Sequence, residues 1–429
     1  MSSGKKMWSA ALLATAVLAV TAACGSGGGG GGESTDGKIK LRFSYWGSDA
    51  RQKMTEEAIK KFEAKNPTID VEGEFSDWAS YYETLATKVA ANDAPDVITI
   101  EIRGLREYAD RGALADLASK VNTADIDAKV LGTGAIDGKQ FAVPTGVNAF
   151  SLMVNPALVE SSKAKLPDDT KWTWNDYVDL AAKITEGSGG KVTGTQLSWN
   201  PAYLQIYAAQ KGEPFYNGNK LGMSPQTIKD WWAIMQNMIK VKGSPDAAKS
   251  TEIGATSIDQ SLLGTNTGAM GMWWSNQLGA AAKASGQPLD LLRMPKAEGA
   301  TTGGMFLQPA MFYSASSKSA HAAEAAKFID YMINDPEAGQ IILSDRGLPA
   351  SSKVLAAVKD KLPDADKKTL EFIDKIKSEL ADPPPAPPKG SSAMEEILTR
   401  YSEEVMFGRM TPDDAVQKFI TEANASIAG

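Results

Sequence analysis

Between Ile39 and Ile100 the apolar pattern changes period four times, and that succession limits the possible folds more than any other feature of the chain. Ile39, Leu41, Phe43 and Tyr45 alternate with Lys40, Arg42, Ser44 and Trp46, the period of two that marks a strand. Gly47-Ser48-Asp49 breaks the alternation. Met54, Ala58, Ile59 and Phe62 then recur at helical spacing until Asn66-Pro67 stops the helix. A second strand over 69–75, a second helix over 78–91 ended by Asn92-Asp93-Ala94-Pro95, and a buried third strand over 96–100 follow. Strand, helix, strand, helix, strand predicts an α/β fold with a parallel sheet, right-handed crossovers and a ligand site near the carboxyl ends of the strands.

The chain has 429 residues. Single cores stop growing beyond about 250–300 residues, so two or more lobes are expected. Residues 141–144 read as a strand entering a crossing between lobes and 149–154 as the strand leaving it, with Gly146 and Asn148 between them. Thr173 with Asp176 opens a helix over 174–185, and Ser224-Pro225 opens another. A short strand over 268–273 precedes Ser275, which could cap the next helix. Residues 305–313 read as a single return strand, and 322–333 as a helix. Pro383 to Pro388 reads as a stiff connector to the last helices. The expected lobes are 38–145 with 305–350, and 146–304 with 351–429.

The first residues are patterned differently. Lys5 and Lys6 precede an apolar run from Met7 to Val20, then small residues Thr21, Ala22 and Ala23, then Cys24 and a glycine-rich stretch to Gly32. This order reads as a signal peptide over 1–23 and a tether over 24–37. The apolar run is shorter than the ~20 residues a spanning helix needs. Cys24 is the only cysteine and has no disulfide partner in its own chain, so a thioether-linked lipid is the expected use of its thiol. The chain would then be anchored on the outer face of the cell membrane by lipid alone.

Charge and chemistry exclude several classes. The formal charge is −7, and removal of residues 1–23, with two lysines and no acids, takes it to −9. That balance argues against a nucleic-acid partner. One cysteine and one histidine leave no Cys-His pair and no zinc site of the usual kind. His321 reads as a solvated residue at a helix start. No cofactor or metal is expected, and no catalysis.

Ten tryptophans is a high count. Trp46, Trp78, Trp199, Trp273 and Trp274 fall at expected loops or strand ends, where a rigid aromatic face suits the C–H face of a sugar. Asp49, Arg51, Asn148, Ser275, Asn276, Gln308 and Arg346 could read hydroxyl groups beside such platforms. Packing competes at each position. Trp231 and Trp232 lie in a helix, so at least one belongs to a core. Trp172 and Trp174 flank a helix start and read as packing. Trp78 suits core and cleft equally. Trp46 falls on the polar side of its strand. Trp273 and Trp274 must face opposite ways. Asp49 could simply pair with Arg51.

Taken in order, Trp46-Gly47-Ser48-Asp49-Ala50-Arg51, Asn66-Pro67, Pro95-Asp96-Val97-Ile98, Val143-Pro144, Trp274-Ser275-Asn276-Gln277, Asn334-Asp335-Pro336-Glu337-Ala338 and Arg346-Gly347-Leu348-Pro349-Ala350 carry a resemblance. The chain resembles the extracellular solute-binding proteins of bacterial ABC importers, in the group that binds sugars and oligosaccharides, and Thr21 to Cys24 resembles a lipoprotein signal. The resemblance implies a two-lobe periplasmic-binding-protein-like fold of type II with a hinged cleft. It also implies capture of a sugar or oligosaccharide by closure, and delivery by a monomer to permease subunits in the membrane. The implied cleft residues are Trp46, Asp49, Arg51, Trp78, Asn148, Trp274, Ser275, Asn276 and Arg346, with Glu101 and Arg103 ranked lower. A secreted glycoside hydrolase and a binder of polyamine or iron are the competing readings; Tyr81 and Tyr82 are poorly set to share a metal, since helix neighbours point about 100° apart.

Overall fold

Leu41, Phe43 and Tyr45 point from β1 (Ile39–Trp46) into apolar core, and by the end of the strand Ser44 and Trp46 are buried as well. Alternation predicts an exposed Trp46. Burial on both faces is the condition of a central strand in a parallel sheet, and β1 is central here. It pairs in parallel with β2 (Ile69–Ser76), from Ile39 opposite Ile69 to Trp46 opposite Ser76, and on its other side with β3 (Val97–Ile100). The helices between them are α1 (Asp49–Lys65), capped by the Ser48 side chain, and α2 (Trp78–Ala90), capped by Asp77. A short helix α3 (Ile102–Asp110) follows β3. These observations come from a computed structural model that describes residues 37–254 and 256–428; the expected signal peptide, Cys24 and all of the tether but Gly37 lie outside the described residues.

Two later segments complete this first sheet. Phe312–Ala315 runs antiparallel between β3 and Val143–Pro144. A second sheet is built around the long strand Gly146–Val154, with Asp290–Leu292 on one side and Gly268–Trp274, then Thr193–Thr195, on the other. Leu307–Pro309 and Leu348–Pro349 pair with the beginning of that same strand. The expected single return strand is therefore two strands, one on each sheet, broken at Ala310-Met311.

Each sheet has its own core. Phe43, Phe62 and Phe328 pack edge to face on one side of the first sheet, and Trp46, Tyr81, Ile98 and Phe312 fill the other. The second core gathers Phe150, Trp172, Trp174, Trp231 and Trp232, together with Met305 and Phe306. Trp231 and Trp232 are both fully buried because their helix, Pro225–Lys240, is covered on two sides. Trp231 meets Tyr203, while the Trp232 indole donates to Ser402 Oγ at 3.0 Å and lies against Phe419.

Three segments pass between the sheets and are tied at Thr145. Its backbone N–H and hydroxyl donate to the Met311 carbonyl at 3.0 and 3.1 Å, and its own carbonyl accepts from Ala350 at 3.2 Å. Gly146 is obligatory beside it, since a Cβ there would lie 2.3 Å from the Arg346 carbonyl oxygen. A fourth, non-covalent link comes from the proline-rich segment. It leaves the second core, buries Ala386 in the Trp46 cluster of the first, and returns at Gly390. The expected connector is thus a strap across the two lobes.

Candidate functional site

The carboxyl ends of β1 and β3 open onto a cavity of about 490 Å³ between the two sheets, within the range of small-ligand sites. The first lobe contributes Trp46, Arg51, Glu101 and Arg103. The second contributes Asn148, Asn200, Gln205, Trp274, Asn276 and Gln277. Gln308 and Asp345 come from the crossings, and Pro384, Pro385 and Pro387 from the strap.

Trp46 is held by its neighbours. Its ring lies 4.8 Å from Tyr81 and 5.2 Å from Trp78, centroid to centroid. Tyr81 is itself fixed, donating to the Thr99 carbonyl at 2.6 Å, and burial pushes its phenol pKa far above the usual value. Trp274 ends its strand on the opposite wall, with Phe150 edge-on at 5.2 Å and its backbone N–H donating to Gln277 Oε1. Trp273, its neighbour, turns the other way and folds over Gly271, which has no side chain to obstruct it. Asn148 and Gln308 face each other across antiparallel strands at the cavity wall. The Asn148 side-chain oxygen is buried with no donor.

The charged residues are paired. Arg51 Nε donates to Asp345 Oδ2 at 2.7 Å and Nη2 to the Asp345 carbonyl at 2.9 Å. Arg103 Nε and Nη2 donate to Glu101 Oε2 at 3.0 and 2.8 Å, and Nη1 stands 3.5 Å from Glu395 of the second lobe. Burial raises the Glu101 pKa more than Arg103 lowers it.

Of the nine residues anticipated for the cleft, Trp46, Arg51, Asn148, Trp274 and Asn276 line the cavity. The other four do not. Asp49 is an exposed residue in the first turn of α1, and Arg51 pairs with Asp345 instead of with it. Trp78 is 42% exposed and sits behind Trp46, with the Arg103 guanidinium 5.6 Å over its ring. Ser275 is fully buried at the start of the 3-10 turn that follows the strand, its hydroxyl accepting from Ala149 N–H at 3.1 Å. Arg346 is 3% exposed and bonded to Thr55 and Tyr313; burial first, then the charge of Arg51, lowers its pKa to about 9. Of the lower-ranked candidates, Glu101, Arg103 and Gln308 line the cavity, whereas Trp199 and Trp273 do not.

The residues that sequence reasoning missed are instructive. Asn200 caps the helix Pro201–Gln210 and Gln205 lies midway along it; the Asn200-Pro201 pair could have signalled that helix. Asp345 stands beside the chosen Arg346. The strap prolines and Glu395 carry no local signal, because they reach the cavity only through the long return from the second lobe. Among the described residues no group of three or more His, Cys, Asp or Glu is placed to hold a metal ion.

Comparison with known proteins places this geometry. The profile of the bacterial extracellular solute-binding protein family matches residues 47–339. An uncharacterized lipoprotein of Streptomyces antibioticus is 24% identical over 333 residues, which is 75% of this chain and 72% of that protein. A periplasmic oligogalacturonide-binding protein from Yersinia enterocolitica superposes with a TM-score of 0.77 at 20% identity, covering 91% of this chain and 99% of that one. An ABC substrate-binding protein from Listeria monocytogenes, in complex with cycloalternan, superposes with a TM-score of 0.75 at 22% identity, covering 91% and 99%. The fold is the two-lobe α/β fold of periplasmic solute-binding proteins, and the chain belongs to the bacterial extracellular solute-binding protein family.

Proposed function

We propose that this member of the solute-binding family captures a sugar or oligosaccharide in the cavity between its lobes and delivers it to an ABC permease while lipid on Cys24 keeps it at the membrane. The observation that carries the reading is the pairing of two tryptophans on opposite walls, Trp46 and Trp274, with uncharged amides between them. An indole face matches the apolar face of a pyranose. An amide both donates and accepts, as a hydroxyl does, and Asn148, Gln308, Asn276 and Gln277 offer four. Polyamines would call for unpaired carboxylates and ferric iron for clustered oxygen anions, and the carboxylates here already pair with arginines.

Capture follows from the crossings. Three strand segments tied at Thr145 form a narrow joint, and the ligand shifts the lobes toward closure only by binding the closed arrangement more tightly. The solved relatives, one binding oligogalacturonide and one cycloalternan, support carbohydrate as the ligand class. The Streptomyces lipoprotein supports anchoring.

A thermal-shift screen tests the proposal. At 100 times its dissociation constant a ligand stabilises by about 2.7 kcal/mol. The expected result is a raised melting temperature with a sugar. A shift confined to polyamines, amino acids or ferric salts overturns the ligand class.

A further inference from the structure

The ionisable side chains at this cavity cancel one another, and the pairing is geometric. Two arginines and three carboxylates line it: Arg51, Arg103, Asp345, Glu101 and Glu395. Arg346, buried behind Asp345 at 3.8 Å, adds a third cation and brings the balance to zero. Both lining guanidiniums are already paired within the chain, Arg51 mostly buried and Arg103 about half exposed. Arg51 spends Nε and Nη2 on Asp345 and points Nη1 at the Trp46 carbonyl. All three Arg103 nitrogens face carboxylate oxygens, two on Glu101 and one on Glu395.

We infer that Asp345 and Glu101 are specificity-determining residues that occupy both arginines and so restrict the site to neutral carbohydrates, excluding uronates and other anionic sugars. The inference rests on the carbohydrate reading above and deepens it. An arginine facing a cleft is the natural partner for a ligand carboxylate, by a two-pronged charge-assisted bond. Here that fork is already filled from within the chain. An incoming uronate must displace Glu101 or Asp345, leaving that carboxylate in a confined space beside the new one, or lose its hydration without a counter-charge; both are unfavourable. A neutral hydroxyl has no such requirement, because the amides meet it without disturbing either ion pair.

The test is a glycan array carrying matched pairs of neutral and uronate-containing oligosaccharides, probed with fluorescently labelled protein, followed by titration of the best pair. Wild type is expected to bind the neutral member at least about ten-fold more tightly than its uronate counterpart. In Glu101→Gln, which leaves Arg103 with one carboxylate fewer, the preference is expected to narrow by about ten-fold through tighter uronate binding. Asp345→Asn is the second variant and acts on the other arginine. Wild-type preference for the uronate member overturns the inference and leaves the carbohydrate reading standing, as does a preference unmoved in both variants. Binding to no glycan of either kind overturns the carbohydrate reading, and this inference with it.

Discussion

Arg51 and Asp345 stand 294 residues apart in sequence and 2.7 Å apart in space, in a bidentate contact that joins the first helix to the third crossing. Both side chains are less than one-fifth exposed, so water screens the pair only partly. Hydrogen bonds to charged groups contribute about 1.5–3 kcal/mol. Asp345→Ala is expected to lower unfolding stability by that amount, about 1.5–3 kcal/mol, in a urea titration. An unchanged midpoint would show that the contact does not tie the crossing.

Trp274 and Ser275 are adjacent and have opposite roles. Trp274→Ala removes a platform from the cavity wall and is expected to weaken binding of the sugar that the thermal screen selects by about ten-fold or more. Ser275→Ala leaves the buried Ala149 N–H without its acceptor, and is expected to cost about 1–3 kcal/mol of stability with affinity within about two-fold of wild type. Calorimetric titration and denaturation of both variants separate the two. Loss of affinity in Ser275→Ala alone would reverse the assignment.

Gly146 has no room for a side chain. A Cβ would lie 2.3 Å from the Arg346 carbonyl oxygen and 2.8 Å from the Gly347 backbone. Gly146→Ala must push the first and third crossings apart, at an expected cost of about 1–3 kcal/mol. Gly112, at an exposed turn with open space around it, provides the contrast: its positive φ makes alanine mildly unfavourable there, without any clash. Equal melting temperatures for Gly146→Ala and wild type would contradict the crowding at the crossing.

The pH dependence of Glu101 has a definite sign. Burial, opposed by Arg103, raises its pKa in the folded chain above the ordinary glutamate value of 4.5. A raised carboxyl pKa means that the folded state binds the proton more tightly than the unfolded one. The group therefore favours folding most at low pH and loses that contribution as pH rises through its folded pKa. Glu101→Gln is expected to gain stability relative to wild type at pH 7, with the gain shrinking as pH falls through the raised folded pKa and levelling off by 4.5. A gain that grows toward acid pH would show that the Arg103 attraction outweighs burial.

Much of the first lobe was legible because its signals are local. Period-two strands and capped helices between Ile39 and Ile100 fix element type and order, and parallel pairing follows from their alternation. Trp46 shows the limit: its burial depends on lying in a central strand under α2, which no local pattern reports. The same limit separates Trp274, which lines the cavity, from Ser275 and Arg346, which support it from behind. Trp274 and Ser275 sit in one motif and Arg346 in another, and in both only the direction of each side chain decides whether it meets the cavity. The strap was least legible. A run of prolines announces stiffness, but the docking of Ala386 against the first lobe depends on where distant helices place its two ends.

The most direct measurement is a tryptophan-fluorescence titration of wild type and Trp274→Ala with a panel of neutral oligosaccharides. The account predicts a saturable change with at least one sugar in wild type, weakened by about ten-fold or more in the variant. A wild-type signal that no sugar moves, or one that survives intact in Trp274→Ala, would contradict the cavity between Trp46 and Trp274 as the carbohydrate site.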